Sequence, residues 1–239
     1  EVYFAKLAEQ AERYDEMAEH MKNVVSEGSE LSVEERNLLS VAYRNAVGSR
    51  RAACRILTRV SSKESSKANA EEAEYAQEYC RKVEMELQTI CDTILELLGN
   101  SLLPKVSGGE SKVFYQKMKV DFFRYIAEFA DGDAKAQASE SARKVHAEVA
   151  AAAVKDLAAT DPIRLGHALS YSVFQYEVLG QQDEACKMAR TAFEDALAEL
   201  DNLAEDSYRD TTLLMQLLRD QLALWNSDHE GQPQQQQQQ

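Results

Sequence analysis

Apolar residues recur at spacings of three and four along almost the whole chain, and no stretch alternates convincingly between apolar and polar positions. That period predicts amphipathic helices and no sheet. Only Pro104, Pro162 and Pro233 occur as prolines, so the first 103 residues lack this helix breaker. Breaks fall at Ser26 to Ser32, Ser61 to Lys67, Pro104 to Ser111, Asp131 to Asp133, Ala159 to Ile163, Leu179 to Asp183 and Ala204 to Ser207. A further break near Arg13 gives about nine helices.

Two starts carry explicit signals. Ser32 stands three residues before Glu35, the spacing of a capping box. Thr160 or Asp161 provides a cap ahead of Pro162, which suits the first helical turn. The segments after Ser32 and after Lys67 each run about 30 residues, long against a mean of roughly 11 to 12, and imply an extended antiparallel array. No fixed-period repeat marks a solenoid.

Composition narrows the class without naming a function. The 239 residues are 44 % hydrophobic and 28 % charged, as in folded domains. From Gly231 the sequence "GQPQQQQQQ" cannot bury apolar area and is expected to be disordered. No window approaches a membrane span, and no signal-peptide pattern opens the chain, so an intracellular protein is expected. Cys54, Cys80, Cys91 and Cys186 are widely spaced with no CxxC pair and read as buried free thiols, with no metal or cofactor expected. A formal charge of −14 argues against nucleic acid and acidic membranes as partners.

Against that charge, the 28-residue stretch from Arg36 to Lys63 holds seven Lys or Arg and no Asp or Glu. On a wheel of 100° per residue, Arg44, Arg51 and Arg55 fall within about 40° of one another. Leu38, Leu39, Ala42, Ala46, Ala53, Ile56, Leu57 and Val60 gather opposite and are expected to form the packing face. Arg36, Arg50, Arg59 and Lys63 are read as solvated charge. The seven-residue spacing returns in Lys117 and Arg124, with Tyr125 beside the arginine. Two such helices offer a pocket for one dianion, and phosphate fits best because arginine forks donate bidentate, charge-assisted bonds to its oxygens. Leu165, Leu169, Val173 and Tyr176 form one apolar stripe, and Leu214, Leu217, Gln221 and Trp225 another.

Together these segments resemble the 14-3-3 family of dimeric, all-helical phosphopeptide-binding adaptors. The likeness rests on "ERNLLSVAYRN" from Glu35, "YRDTTLLMQLLRDQLALW" from Tyr208, and on "ESKVFYQKMK", "DPIRLG" and "TAFEDALAELD". It implies one domain over residues 1–230, in which 1–62 serve dimerisation and the first half of a groove and 63–230 the remainder. The implied architecture is an L-shaped helical array forming a cup-shaped homodimer, or a heterodimer with a paralogue, with one amphipathic groove per subunit. By the resemblance, Arg44, Arg51, Arg124 and Tyr125 bind the phosphate, with Lys117 nearby and Arg55 supporting. Leu169, Val173, Leu214, Leu217 and Trp225 become the apolar groove wall, with Glu177 at its polar edge.

The chain departs from the family pattern in places. Arg44 stands where lysine is usual, and Ser170 and Gln221 replace two asparagines that hydrogen-bond the bound peptide's main chain. Leu7 and Ala11 are implied to meet the partner subunit's Ala53, Leu57 and Tyr79, with cross-subunit pairs Arg13–Glu86 and Glu16–Lys82. A serine often found at the Ala53 position is absent, and with it the phosphorylation switch it provides. Partners are expected to be phosphoserine- or phosphothreonine-containing proteins, in the cytoplasm or nucleus. Two other functions compete: a helical structural or chaperone-like protein that binds apolar segments without phosphate, and an enzyme. The latter is disfavoured because His20, His146, His167 and His229 lie far apart and no catalytic motif occurs, His167 reading as a packing residue.

Overall fold

The computed structural model describes residues 1–106, 109–203 and 205–230; the Gln-rich tail predicted from residue 231 lies outside them. Among the described residues there are nine α-helices and no strand. They are α1 (Val2–Gln10), α2 (Tyr14–Ser26), α3 (Val33–Ser66), α4 (Ala70–Glu96), α5 (Gly109–Phe129), α6 (Gly132–Asp156), α7 (Pro162–Glu177), α8 (Gln182–Glu199) and α9 (Glu205–Glu230). α4 continues into a π turn, Leu97–Leu102, before Pro104 ends it. The chain divides into two compact units, Glu1–Ala138 and Ser139–Gln239.

Local chemistry sets the helix ends. The Ser32 hydroxyl accepts from the Glu35 amide at 3.2 Å while the Glu35 carboxylate accepts from the Ser32 amide at 2.8 Å, so the capping box forms in full. Asp161, rather than Thr160, caps α7: its carboxylate accepts from the amides of Ile163 and Arg164, with Pro162 in the first turn. Thr160 is used elsewhere, its carbonyl accepting from the buried Thr211 hydroxyl at 2.7 Å. α1 stops near Arg13 as expected, where Glu12 takes a positive φ of 55°.

One predicted break moves. Ser61 to Ser66 remain helical, and the turn comes at Ala68, which has φ 64°. The serine hydroxyls do not pull the backbone out of the helix. Ser62 and Ser66 bond back to the carbonyls of Thr58 and Lys63, and buried Ser61 donates to the Ala73 carbonyl of α4.

In the first unit α3 and α4 lie along each other, α2 packs on α3, and α5 packs on α4. Met17, Met21, Leu39, Leu87, Ile94, Leu98 and Phe122 are fully buried there. Each such side chain contributes roughly 1.5–3 kcal/mol by leaving water. The packing face predicted for α3 holds only in its first half. Leu38, Leu39, Ala42 and Ala46 are buried, but Ile56 is 58 % and Val60 41 % exposed. A wheel finds an apolar face; it does not say that another helix covers it.

Two cations read as solvated charge are structural instead. Arg36 is 4 % exposed, donating to Ser111 Oγ at 2.9 Å and Glu110 Oε1 at 2.7 Å, with its guanidinium over the Phe114 ring. Arg50 joins three helices, pairing with Asp15 of α2 at 2.7 Å and Glu86 of α4 at 3.3 Å.

In the second unit α7, α8 and α9 pack around Leu165, Ala185, Ala189, Ala196, Met215, Leu218 and Trp225. The alanines of α8 fall at spacings of four and seven, one small-residue face that lets its neighbours approach closely.

Candidate functional site

The capping box starts α3 in a fixed register, and the buried Leu39, Tyr43 and Ala46 hold one side of it inward. Arg44, Arg51 and Arg55 consequently project from the other side, Arg44 and Arg55 exposed and Arg51 half-buried. On α5, Phe122 is buried and packs edge-on against both Tyr43 of α3 and Tyr125. This fixes Tyr125, itself buried, where the arginines converge.

The Arg51 guanidinium lies 4.5 Å from the Tyr125 ring centroid and the Arg124 guanidinium 4.8 Å. Arg44 is close enough to act on the same phenol electrostatically. Burial is the largest influence on the Tyr125 hydroxyl and raises its pKa; Asp121 raises it further, while Arg124, Arg51 and Arg44 pull it back. The balance remains upward, so the phenol keeps its proton and stays a donor.

Two acids missed from sequence complete the cluster. Glu128 pairs with Arg51 at 2.5 Å and Arg124 at 2.9 Å; Asp121 pairs with Lys117 at 3.5 Å and lies 3.9 Å from Arg124. They stand at −3 and +4 from Arg124, so the helical spacing that groups the cations also selected these acids. Arg44 instead donates to Ser40 Oγ, at 2.7 Å, on its own helix. A cavity of about 410 Å³ opens beside the cluster, lined by Arg51, Arg55, Arg59, Tyr125 and Glu128 among others. The structure therefore gathers Arg44, Arg51, Arg124 and Tyr125, with Lys117 joined through Asp121 and Arg55 at the cavity wall.

With the fold and this cluster established, comparison with known proteins is decisive: the 14-3-3 protein family model matches residues 4–226. The chain belongs to the 14-3-3 family. It is 56 % identical over 226 residues to the 14-3-3 family protein artA of Aspergillus flavus, covering 95 % of each chain. Checkpoint signal transducer rad24 of Schizosaccharomyces pombe is 53 % identical, covering 96 % of this chain and 85 % of the relative. Protein BMH2 of Saccharomyces cerevisiae is 55 % identical, covering 95 % and 84 %.

The residues of this 14-3-3 chain assigned to a peptide groove occupy α7 and α9. Leu169, Val173 and Leu214 are half-buried at the margin of the second unit's core, Leu217 is 43 % exposed and Glu177 is exposed at the end of α7. Leu213, Leu217 and Leu224 together leave an exposed apolar stripe along α9. Trp225 differs from the expectation of a lining residue: it is 1 % exposed and stacks on Tyr176 at 4.6 Å, so it supports the surface from beneath. Ser170 Oγ lies 3.5 Å from the His167 carbonyl, and Gln221 is half-buried.

The residues expected from the resemblance to serve dimerisation lie in the first unit. Leu7 is 42 % and Tyr79 56 % exposed, Ala11 is exposed, and Ala53 and Leu57 are half-buried. Within one chain the charges assigned across subunits have internal partners: Arg13 pairs with Glu16, Glu86 with Arg50, and Lys82 sits over the Tyr79 ring. The histidines are not all dispersed as sequence distance implied. His146 and His167 are buried, with ring nitrogens 3.2 Å apart, and His146 stacks on Tyr171. His167 is thus a packing residue of a buried aromatic cluster.

Proposed function

We propose that this adaptor binds phosphoserine- or phosphothreonine-containing segments of partner proteins, with the phosphate held by Arg44, Arg51, Arg124 and the Tyr125 hydroxyl. The observation that carries this reading is the convergence of the Arg51 and Arg124 guanidinium groups on the Tyr125 ring, at 4.5 and 4.8 Å from its centroid. Phosphate brings about two negative charges and three acceptor oxygens at pH 7, matching two planar forks and one O–H donor. Glu128 and Asp121 hold the forks in place before the phosphate arrives, so less side-chain freedom is lost on binding.

The surfaces of α7 and α9 are assigned to the residues flanking the phosphate, with Leu169, Val173, Leu214 and Leu217 taking apolar side chains and Ser170 and Gln221 the main chain. Leu7, Ala11, Ala53, Leu57 and Tyr79 are assigned to a homodimer, or a heterodimer with a paralogue. Two phosphate pockets per dimer then act at high effective concentration on a doubly phosphorylated partner. No covalent chemistry is required, and cytoplasm or nucleus is the compartment where such partners would be met.

The test is fluorescence titration with a labelled phosphopeptide and its unphosphorylated twin. Equal affinities would refute the reading. The exposed leucine stripe of α9 favours a second one, capture of apolar segments without phosphate. Salt separates the two, since raising ionic strength weakens a phosphate contact but not an apolar one.

A further inference from the structure

On the cavity that Arg51 and Arg55 of the phosphate pocket also line, two cysteines 26 residues apart in sequence meet between α3 and α4. The Cys54 and Cys80 thiols and the Glu84 carboxylate all lie within 4.8 Å of one another. Cys80 Sγ is 3.5 Å from Glu84 Oε1, because residues four apart share a helix face. Both cysteines are buried, and Val83, Ala53 and Leu57 pack around them.

We propose that Cys54, Cys80 and Glu84 form a binding site for a thiophilic divalent cation of the zinc class, with solvent in the fourth position. The geometry is near what such an ion requires. With metal–sulfur bonds of about 2.3 Å and metal–oxygen bonds of about 2.1 Å, tetrahedral ligands sit roughly 3.5–3.8 Å apart. Cys80 Sγ and Glu84 Oε1 already stand at 3.5 Å, and no separation in the cluster exceeds 4.8 Å, so closing onto an ion asks for shifts of at most about 1.3 Å. Two thiolates and one carboxylate favour zinc over magnesium or calcium, which prefer oxygen ligands.

Access and charge also fit. The cavity of about 410 Å³ already described is also lined by Cys54, Thr58 and Glu84, and a second is lined by Thr58, Cys80 and Glu84, so both reach the cluster. Three ligand charges exceed the two of the metal, and Arg51, Arg55 and Arg59 line the first cavity to offset the excess. Burial, with the neighbouring thiol and Glu84 adding to it, pushes the Cys54 thiol up to about 12, and burial raises Cys80 as well. Both thiols are therefore protonated at neutral pH, and the metal displaces their protons on binding. An ion here pins α3 to α4, beside the exposed Tyr79 and the half-buried Leu57 assigned to the dimer.

The experiment titrates the reduced full chain with Co²⁺ and then displaces it with Zn²⁺. One cobalt per chain is expected, with a thiolate-to-cobalt charge-transfer band in the near ultraviolet. The band should be absent in Cys54→Ser and Cys80→Ser and unchanged in Cys186→Ser. Glu84→Gln, at a half-buried position that leaves both thiols in place, should weaken Co²⁺ binding at least about tenfold, since an outer ligand partner alone costs on the order of 10- to 100-fold. Far-ultraviolet circular dichroism confirms that each variant is folded. Absence of the band in the wild-type chain, its persistence in Cys80→Ser, or unchanged affinity in Glu84→Gln would each overturn the proposal. Zn²⁺ should also raise the wild-type melting temperature and leave that of Cys80→Ser unmoved; equal shifts count against the site.

Discussion

Arg51 covers the Tyr125 ring at 4.5 Å while its fork pairs with Glu128 at 2.5 Å, so one side chain is held by a π face and a carboxylate at once. The two roles separate on substitution. Arg51→Ala removes both a fork and a charge; a hydrogen bond to a charged group contributes about 1.5–3 kcal/mol, so phosphopeptide affinity should fall about 10- to 150-fold. Tyr125→Phe removes only one O–H donor to the charged phosphate, leaves the ring and both guanidinium charges in place, and should cost about tenfold, at the low end of the range for Arg51→Ala. Fluorescence titration of both variants checks the order. A Tyr125→Phe loss as large as that of Arg51→Ala would show that the hydroxyl, not the forks, dominates.

The buried Arg36 gives a stability prediction that leaves phosphate binding aside. Arg36→Ala loses contact with Phe114 and bonds to Glu110 and Ser111, and should lower unfolding free energy by about 1–3 kcal/mol. Exposed Arg59, in the same basic stretch, should change it by no more than about 0.5 kcal/mol when replaced by Ala. Urea denaturation distinguishes them. Equal midpoints would mean that Arg36 is as solvated as its sequence context implies.

The contrast between these arginines shows what could be read from sequence. Ser32 with Glu35 and Asp161 with Pro162 were legible because a cap and its partners lie within one helical turn. Arg44, Arg51 and Arg55 were legible as a face because helical period alone groups them. Arg36 and Arg50 were not, since their partners Glu110 and Asp15 lie 74 and 35 residues away. Cys54 and Cys80 were read correctly as buried thiols, but their meeting with each other was hidden for the same reason, and Ile56 and Val60 looked buried because a wheel cannot show which part of an apolar face another helix covers. Asp121 and Glu128 were within reach, because the spacing already applied to Lys117 and Arg124 also places these acids beside them.

Alkaline pH should destabilise the fold through its buried thiols. In the unfolded chain a thiol ionises near pH 8.5, at about its ordinary value. Burial pushes Cys54 and Cys91 up to about 12 in the fold. Folded-state values above unfolded ones mean that the full stability is present below about pH 8.5 and is lost progressively as pH rises toward 12. Urea midpoints of the reduced chain should accordingly fall between pH 8 and pH 10. Cys91→Ala should show a shallower fall, and an unchanged slope would locate the effect elsewhere.

The exposed apolar residues of α1 and α4 predict assembly. Leu7 and Tyr79 are 42 % and 56 % exposed, and an acid placed among such side chains in an interface would be buried without a partner. Leu7→Asp and Tyr79→Asp should each shift sedimentation-equilibrium mass from dimer toward monomer while helix content is retained. A monomeric wild-type chain would remove these residues from the proposed interface.

Ser170 and Gln221, departures from the family pattern assigned above to the peptide's main chain, give a prediction about affinity. Ser170 Oγ lies near the His167 carbonyl of its own helix, 3.5 Å away, so the short hydroxyl is turned toward α7 rather than outward. Asparagine at this position carries its amide beyond that carbonyl and adds both a donor and an acceptor for an extended backbone. Gln221 already has the amide, one methylene further out and with one more rotor to immobilise. Each hydrogen bond gained is worth about 0.5–1.5 kcal/mol, so Ser170→Asn should tighten phosphopeptide binding roughly threefold to tenfold. Gln221→Asn should gain less, because it repositions an amide and does not create one. With both side chains assigned to the peptide's main chain in the proposed function, the gains should appear equally for phosphopeptides of different sequence. A gain confined to one sequence would mean that these positions select motifs instead of setting affinity.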